Sequence, residues 1–402
     1  MRTKVMTRDN RKAQLLLFAA ILLAMLAYGM TLPLFPFLLD SFGGSGMHMG
    51  LLVAVYGALQ LLFAPVWGRA SDAVGRKPLL LVGTAGLAAA LLIFGFAQNL
   101  AMLYLGQAVL GSLTSALFPV AAAYMSDSSA VDKRAGALGR IGAATGLGVV
   151  LGPGIGGILA VDSLSLPFFL AAGWAALVLL LMLVFLPESL KPERRRQVSG
   201  RSHGGLGAAV RAVRGPAGLG LFPAFAVYFG KSNFSGIFGL YAMQRFAYGT
   251  AEVGSLLMIM GLVYALSQGV LVGPAVERMG EKTVIRLCLA GSAAGFVLLL
   301  AAGSYAFLAI ATCVFIVSNA GLKPTALAYI TRHSAGEHGT VMGYADVYMS
   351  IGRVAGPIWA GFLFDVRIGL PFASGALFFA LILVIALVWM RDALDVGTRM
   401  AG

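Results

Sequence analysis

The sequence is poor in charged residues. Only 11% of its 402 residues are Asp, Glu, Lys or Arg, whereas 59% are hydrophobic. Because soluble domains carry about 25% charged residues, this composition excludes a soluble globular protein. The sequence predicts an all-α membrane protein that crosses the bilayer many times.

Cysteine and histidine are also scarce, with two and four residues. Cys288 and Cys313 both lie in apolar runs, which excludes a disulfide framework, and no metal-ligand spacing is present. The chain has no Walker-type G-x-x-x-x-G-K-[ST] loop and no Ser/His/acid arrangement at membrane depth. We therefore expect a protein that is not an enzyme, needs no cofactor or metal, and uses no ATP of its own.

Twelve apolar runs have about the 20 residues that a membrane-spanning helix needs. They lie near residues 14–38, 48–67, 78–97, 100–125, 138–161, 167–186, 219–243, 252–276, 283–302, 304–330, 340–364 and 370–390. A polar, arginine-rich segment at 187–218 separates the sixth run from the seventh. The predicted organisation is a six-helix bundle (1–186), a cytoplasmic linker (187–218) and a second six-helix bundle (219–402).

Most lysines and arginines fall on one side of these spans. The loops on the other side hold only Arg245 and Arg367. Positive charge marks cytoplasmic loops, so the net charge of +13 is a topology signal rather than a sign of nucleic-acid binding. Both termini are expected in the cytoplasm, with the chain in a bacterial inner membrane.

The two halves repeat each other. Gly68, Asp72, Gly75 and Lys77 precede Gly273, Glu277, Gly280 and Lys282 by 205 residues. Gly148, Gly152, Pro153 and Gly157 precede Gly352, Gly356, Pro357 and Gly361 by 204 residues. Such parallel repeats predict two pseudo-symmetric six-helix bundles around a site near the middle of the membrane.

Two short motifs stand out in the first half. Residues 68–77 read GRASDAVGRK between the second and third spans, and we expect a charged hairpin in which Asp72 can pair with Arg76. Residues 148–157 read GVVLGPGIGG in the fifth span. Glycines four residues apart give that helix a smooth packing face, and Pro153 can kink it.

The first motif resembles the signature G-x-x-x-D-x-x-G-R-[KR] of the major facilitator superfamily. The second resembles the antiporter motif of its drug/proton antiporter branch, and the chain as a whole is similar to bacterial tetracycline and multidrug exporters. This resemblance implies that Asp72 lies near residues 340–343 of the eleventh span, that Arg76 pairs with Asp127, and that residues 148–157 form part of the interface between the halves. The implied gating residues are Gly68, Asp72, Gly75, Arg76, Lys77, Asp127, Gly148, Gly152, Pro153, Gly157 and Asp346.

The chain also departs from these exporters. They have an arginine in the fourth span where this chain has Gln107, and the first span has no acid before Asp40. Acids are missing from the positions where many relatives carry one inside the membrane. Proton coupling is therefore implied by the resemblance alone.

Cations are found instead in the predicted spans of the second half. Lys231 lies near the middle of the seventh span and Arg353 lies in the eleventh. Either could contact an anion in a central cavity, or form a structural ion pair, Lys231 with Asp40 or Asp346. Asp346 precedes Arg353 by seven residues, roughly 10 Å along a helix, which is too far for a direct pair. Lys323 could simply extend its amine toward the membrane surface.

Aromatic and polar residues of the spans complete a candidate substrate site, although such side chains more often serve packing. The candidate substrate-binding residues are Tyr28, Met30, Phe35, Gln107, Lys231, Phe234, Ser235, Phe238, Tyr241, Asn319 and Arg353.

The leading function is secondary active export of small amphipathic compounds by alternating access, in exchange for protons. The alternative is an exporter of a specific organic anion or zwitterion, such as a metallophore or a lipid-like metabolite. A membrane sensor or scaffold is disfavoured because no additional soluble domain is present. The expected partners are a small-molecule substrate, a proton and the lipid bilayer, with the chain acting as a monomer.

Overall fold

The computed structural model describes residues 8–190, 217–333 and 338–399, and every regular element within them is a helix. The α-helices are α1 (Arg8–Thr31), α2 (Phe35–Ser41), α3 (Gly46–Val74), α4 (Arg76–Gly95), α5 (Leu100–Leu113), α6 (Leu117–Asp127), α7 (Arg134–Leu159), α8 (Leu166–Phe185), α9 (Ala217–Phe246), α10 (Thr250–Leu266), α11 (Val272–Ala301), α12 (Tyr305–His333), α13 (His338–Val366) and α14 (Leu370–Arg399). The all-α prediction is confirmed.

Some predicted spans contain a change of helix type. A 3₁₀ turn at Leu32–Leu34 joins α1 to α2, where Pro33 and Pro36 remove backbone donors. A second 3₁₀ turn, Thr114–Ala116, joins α5 to α6. A π-helical turn, Ser267–Leu271, joins α10 to α11. These turns interrupt the α-helices without ending the spans.

Ten segments in the described part of the chain are long and apolar enough to cross a membrane. One of them, Thr250–Ala301, has 52 residues, more than twice what one crossing needs. Its backbone bends at Gly280, where φ is 76°, so it forms two spans. Helix α9 has 30 residues and contains the predicted seventh span, but it is not among these ten segments, so the count of twelve spans stays a prediction.

The helices form two compact units. The first contains Met1–Gly44, Val55–Arg201 and Ala247–Gly261, and the second contains Ser45–Ala54, Ser202–Phe246 and Leu262–Gly402. The beginning of α3 thus groups with the second unit and the beginning of α10 with the first. The predicted domain boundaries stay a prediction, since residues 191–216 of the linker lie outside the described residues.

Each unit has its own apolar core. In the first unit, Leu17, Leu80, Val120 and Ile141 are buried together. The core of the second unit is rich in phenylalanine, and the ring centroids of Phe234 and Phe315 are 4.5 Å apart. Further rings of this core belong to Phe238, Phe296, Phe372 and Phe379.

Large apolar side chains also cover outward faces of the helices. Leu180 of α8 is 56% exposed, and Leu377 and Val388 of α14 are 71% and 62% exposed. Such exposure would be unfavourable in water, whereas lipid tails provide an apolar surrounding for these faces. The outward faces therefore fit a chain that lies in a bilayer.

Candidate gating and binding sites

The charged motif at 68–77 is almost entirely helical, whereas the sequence predicts a charged hairpin. Helix α3 continues to Val74, and α4 begins at Arg76, so Gly75 alone makes the turn. Gly75 has a φ of 126°, a backbone conformation that side chains with a Cβ atom rarely adopt. The expected hairpin is therefore corrected to two helices that meet at one glycine, because glycine can reverse the chain without extra residues.

Arg76 lies at the centre of a charge network beside this turn. Its guanidinium is 2.5 Å from Asp72 and its Nε donates to Asp127 at 3.1 Å. A further N–H donates to Ser71 Oγ at 2.7 Å. The guanidinium is almost buried and therefore loses hydration. The two carboxylates offset this loss. The pairing of Arg76 with Asp127 is present, whereas its gating role stays a prediction. So does the contact of Asp72 with residues 340–343, whose side chains lie outside the described residues.

Glu188 is a functional candidate that was not predicted from the sequence. Its two carboxylate oxygens accept from the backbone N–H groups of Arg76 at 2.9 Å and Lys77 at 3.1 Å. These are the first N–H groups of α4, which have no partner within the helix. A carboxylate is also favoured there by the helix dipole. Glu188 therefore fixes the start of α4, and its position in the sequence directly after the sixth span was the available signal.

The same construction recurs in the second half with the charges exchanged. Gly280 bends α11 as Gly75 separates α3 from α4, and Glu281 pairs with Arg332 at 3.3 Å. Glu281 and Arg332 follow Arg76 and Asp127 by 205 residues each. The repeat thus keeps an ion pair while reversing its polarity. A cleft of about 440 Å³ lies beside this pair, and it contains none of the predicted substrate-binding residues.

The glycines of α7 pack against two different helices. A Cβ atom added at Gly152 would lie 2.7 Å from Gly29 Cα of α1. One added at Gly157 would lie 2.9 Å from Gly254 Cα of α10. The predicted role of residues 148–157 between the halves is therefore corrected for Gly148 and Gly152, which contact α1 of their own half. A smooth glycine face allows close packing but does not specify the partner.

Asp365, at the end of α13, caps a second helix start. Its carboxylate oxygens accept from the N–H groups of Gly46 at 2.6 Å and Met47 at 2.9 Å, at the beginning of α3. Next to this cap, a Cβ atom at Gly50 would overlap the backbone of Pro357. Dipole, hydrogen bonds and close packing thus act together where α3 begins.

Three cations lie near the midpoints of three helices of the second unit. Lys231 belongs to α9, Lys323 to α12 and Arg353 to α13. Lys231 Nζ lies 4.4 Å from the ring centroid of Tyr264, Lys323 Nζ lies 5.6 Å from that of Tyr228, and Arg353 Cζ lies 5.1 Å from that of Tyr228. We call these five residues the cation–tyrosine cluster.

Several predicted cavity residues are packing residues instead. Met30, Phe35, Phe234, Phe238 and Tyr241 are each at most 4% exposed. Phe35 packs edge-on against Phe94, and Tyr241 donates its hydroxyl to the carbonyl of Leu299 at 2.9 Å. The prediction that these five line an open cavity is corrected, because their apolar rings and chains are buried among the helices.

The other predicted binding residues differ in exposure. Tyr28 is half-buried and its ring lies 5.9 Å from that of Tyr56. Gln107 and Asn319 are buried. Ser235 is exposed and follows Lys231 by one helical turn. Asp346 is exposed as well. Ion pairs of Lys231 with Asp40 or Asp346 are absent among the described residues.

Comparison with known proteins places the chain in a family. The Major Facilitator Superfamily sequence profile matches residues 17–222 and 220–397, which is most of the chain. The chain belongs to the Major Facilitator Superfamily. It is therefore a multi-pass membrane transporter and not an enzyme.

Two relatives within the Major Facilitator Superfamily match almost end to end. Multidrug resistance protein 2 of Bacillus subtilis is 28% identical, over 96% of this chain and 97% of the relative. The class D tetracycline resistance protein of Salmonella ordonez is 31% identical, over 96% and 98%. The crystal structure of the nucleoside transporter NupG has a TM-score of 0.77 at 14% identity, covering 94% of this chain and 98% of that one. NupG supports the fold alone.

Proposed function

We propose that this protein is a secondary active exporter of small amphipathic compounds, working by alternating access in exchange for protons. The observation that carries the proposal is the end-to-end similarity to multidrug and tetracycline resistance proteins. This similarity extends through both halves of the chain, and transporters of this fold alternate access around a site between two such halves.

The contacts at the helix ends are candidates for groups that rearrange during this cycle. The Arg76 network and its Glu281–Arg332 counterpart lie at the Gly75 and Gly280 turns. The Asp365 cap lies at the opposite end of α3. Ion pairs and caps of this kind can form in one state and separate in another, which gives each state its own stabilising contacts.

We further propose a location in the bacterial inner membrane, with both termini in the cytoplasm and the chain acting as a monomer. The orientation is supported by the uneven distribution of lysine and arginine. In this orientation the Gly75 turn faces the cytoplasm, so Asp72, Arg76 and Asp127 would belong to the inner gate.

An uptake assay in proteoliposomes tests the function and the gate together. Liposomes with an acidic lumen should accumulate externally added ethidium or tetracycline when they contain the wild-type protein. Asp72→Asn should lose most of this uptake at equal protein content, since Arg76 loses a carboxylate partner. The exposed loop variant Asp162→Asn serves as a matched control. Uptake no greater than in empty liposomes would overturn the function, whereas wild-type uptake by Asp72→Asn would overturn the gate.

The second candidate function is export of an organic anion or zwitterion. It is favoured by the three cations of the cation–tyrosine cluster, which lie near the midpoints of their helices, since substrate sites in this fold are found near the middle of the membrane.

A further inference from the structure

We infer that the cation–tyrosine cluster binds the carboxylate of an amphipathic organic anion, with Tyr228 and Tyr264 flanking the apolar part of the same molecule. This inference rests on the proposed export function and gives its substrate a chemical class. Four helices contribute the cluster: α9 supplies Tyr228 and Lys231, α10 supplies Tyr264, α12 supplies Lys323 and α13 supplies Arg353.

The cluster brings three positive charges into membrane-spanning helices. Charged side chains within a membrane are unfavourable and usually face a cavity or a partner. In the described part of the chain, neither Lys231 nor Lys323 forms an ion pair. Tyr228 has cations from α12 and α13 beside one ring. An anion placed among these groups would reduce their mutual repulsion and replace lost hydration.

The two tyrosine rings of the cluster are held in place by their neighbours. The Tyr264 hydroxyl accepts from Gln268 at 3.2 Å, which holds this ring beside Lys231. Tyr228 packs against a small apolar core that includes Ala224 and Met349. The rings therefore offer apolar faces at defined positions. An anion with an apolar body would bring its carboxylate to the cations while its apolar part packs beside these rings.

Asn319 places a buried amide close to Lys323 in the sequence of α12. Asn319 is 3% exposed, and its side-chain nitrogen has no hydrogen-bond partner within the described structure. Asn319 precedes Lys323 by one turn of α12, so both lie on the same side of that helix. Buried N–H groups are almost always paired in proteins. A carboxylate that reached this face would give Lys323 an ionic partner and could accept from Asn319.

Matched ligands in lipid nanodiscs provide the test. Binding of 2-naphthoate is compared with binding of the neutral 2-naphthamide by calorimetry, with protein-free nanodiscs as the blank. The two probes share their aromatic body and differ in the carboxylate. Wild-type protein should bind 2-naphthoate at least about tenfold more tightly, as expected for a charge-assisted contact.

The variants assign this preference to the cluster. Lys231→Gln and Lys323→Gln should each bring the two affinities to within about threefold of each other, whereas Lys231→Arg should keep the preference. Arg367→Gln removes a positive charge from an exposed position of the same half and should also keep it. Equal binding of both probes by the wild type, or an unchanged preference in both glutamine variants, would overturn the inference.

Lipid composition identifies the source of the anion. The measurement is repeated in phosphatidylcholine alone and with added phosphatidylglycerol. If the wild type retains more phosphatidylglycerol than Lys231→Gln but does not prefer 2-naphthoate, a lipid headgroup is the occupant and the inference is wrong.

The anion site and the export function can fail separately. If the protein transports ethidium without preferring 2-naphthoate, the export function stands and the anion site is wrong. If it prefers 2-naphthoate without exporting any tested compound, the site stands and the proposed function fails.

Discussion

Arg76 makes most of the contacts that hold the charged motif at 68–77 in place. The Arg76 guanidinium contacts Asp72, Asp127 and Ser71, and the backbone N–H of Arg76 donates to Glu188. Removal of a partner from a nearly buried cation leaves charge without compensation, which typically costs a few kcal/mol. The turn therefore depends on charge balance as well as on the glycine.

The reversed pair in the second half leads to a charge-exchange prediction. Arg76→Glu alone should lose export, because it places a carboxylate beside Asp127. Arg76→Glu combined with Asp127→Arg should recover part of the activity, since the resulting polarity is that of Glu281 and Arg332. Ethidium uptake per inserted protein measures both. A double variant no more active than Arg76→Glu would contradict the view that the pair itself matters.

Single residues were predictable only where the partner could be named. Arg76 and Asp127 could be paired through a short signature, although 51 residues separate them. Glu188 lies 112 residues from Arg76, and its capping role depends on where the sixth span ends. Tyr264 was missed as the partner of Lys231 because it lies on another helix, and the rotation of α10 relative to α9 cannot be read from the sequence.

At the scale of elements, α7 shows how one helix uses glycines for two contacts. Gly152 lies against the backbone of α1, and Gly157 lies against Thr250 and Gly254 of α10. Dense packing leaves little room for larger side chains at such crossings, and inserting one typically costs about 1–3 kcal/mol.

A series of leucine substitutions on α7 tests these crossings. Gly152→Leu should lower the thermal unfolding temperature and abolish most export, because its Cβ atom would lie 2.8 Å from the carbonyl oxygen of Leu26. Gly146→Leu on the same helix is the control, since nothing lies within 4 Å of its added Cβ atom. If Gly152→Leu unfolded and transported like Gly146→Leu, the assigned crossing with α1 would be incorrect.

The elements themselves were largely predictable from the apolar runs. Length and hydrophobicity determine a membrane span, so α3, α4 and α8 appear where expected. The turn at Gly75 was expected to be longer, because charged residues that continue a helix resemble a polar loop in sequence. The partner of Gly152 was predicted wrongly for a different reason: a smooth face fits many helices equally well.

At the scale of the whole molecule, the internal repeat explains why similar devices occur twice. Gly75 and Gly280 both have positive φ, and each lies next to a residue of an ion pair. The offset of 205 residues between the Gly75 and Gly280 motifs is enough to predict this duplication. The cation–tyrosine cluster was harder to predict, because Lys231, Lys323 and Arg353 come from three separate helices.

Proton movement during transport tests the central claim most directly. Proteoliposomes with an acidic lumen and an enclosed pH-sensitive dye are mixed with ethidium or tetracycline, and lumenal pH is followed together with uptake. If the protein exchanges its substrate for protons, the lumen should become less acidic as the compound enters, and it should not do so in liposomes containing Asp72→Asn. Substrate uptake with no change in lumenal pH relative to protein-free liposomes would contradict proton exchange.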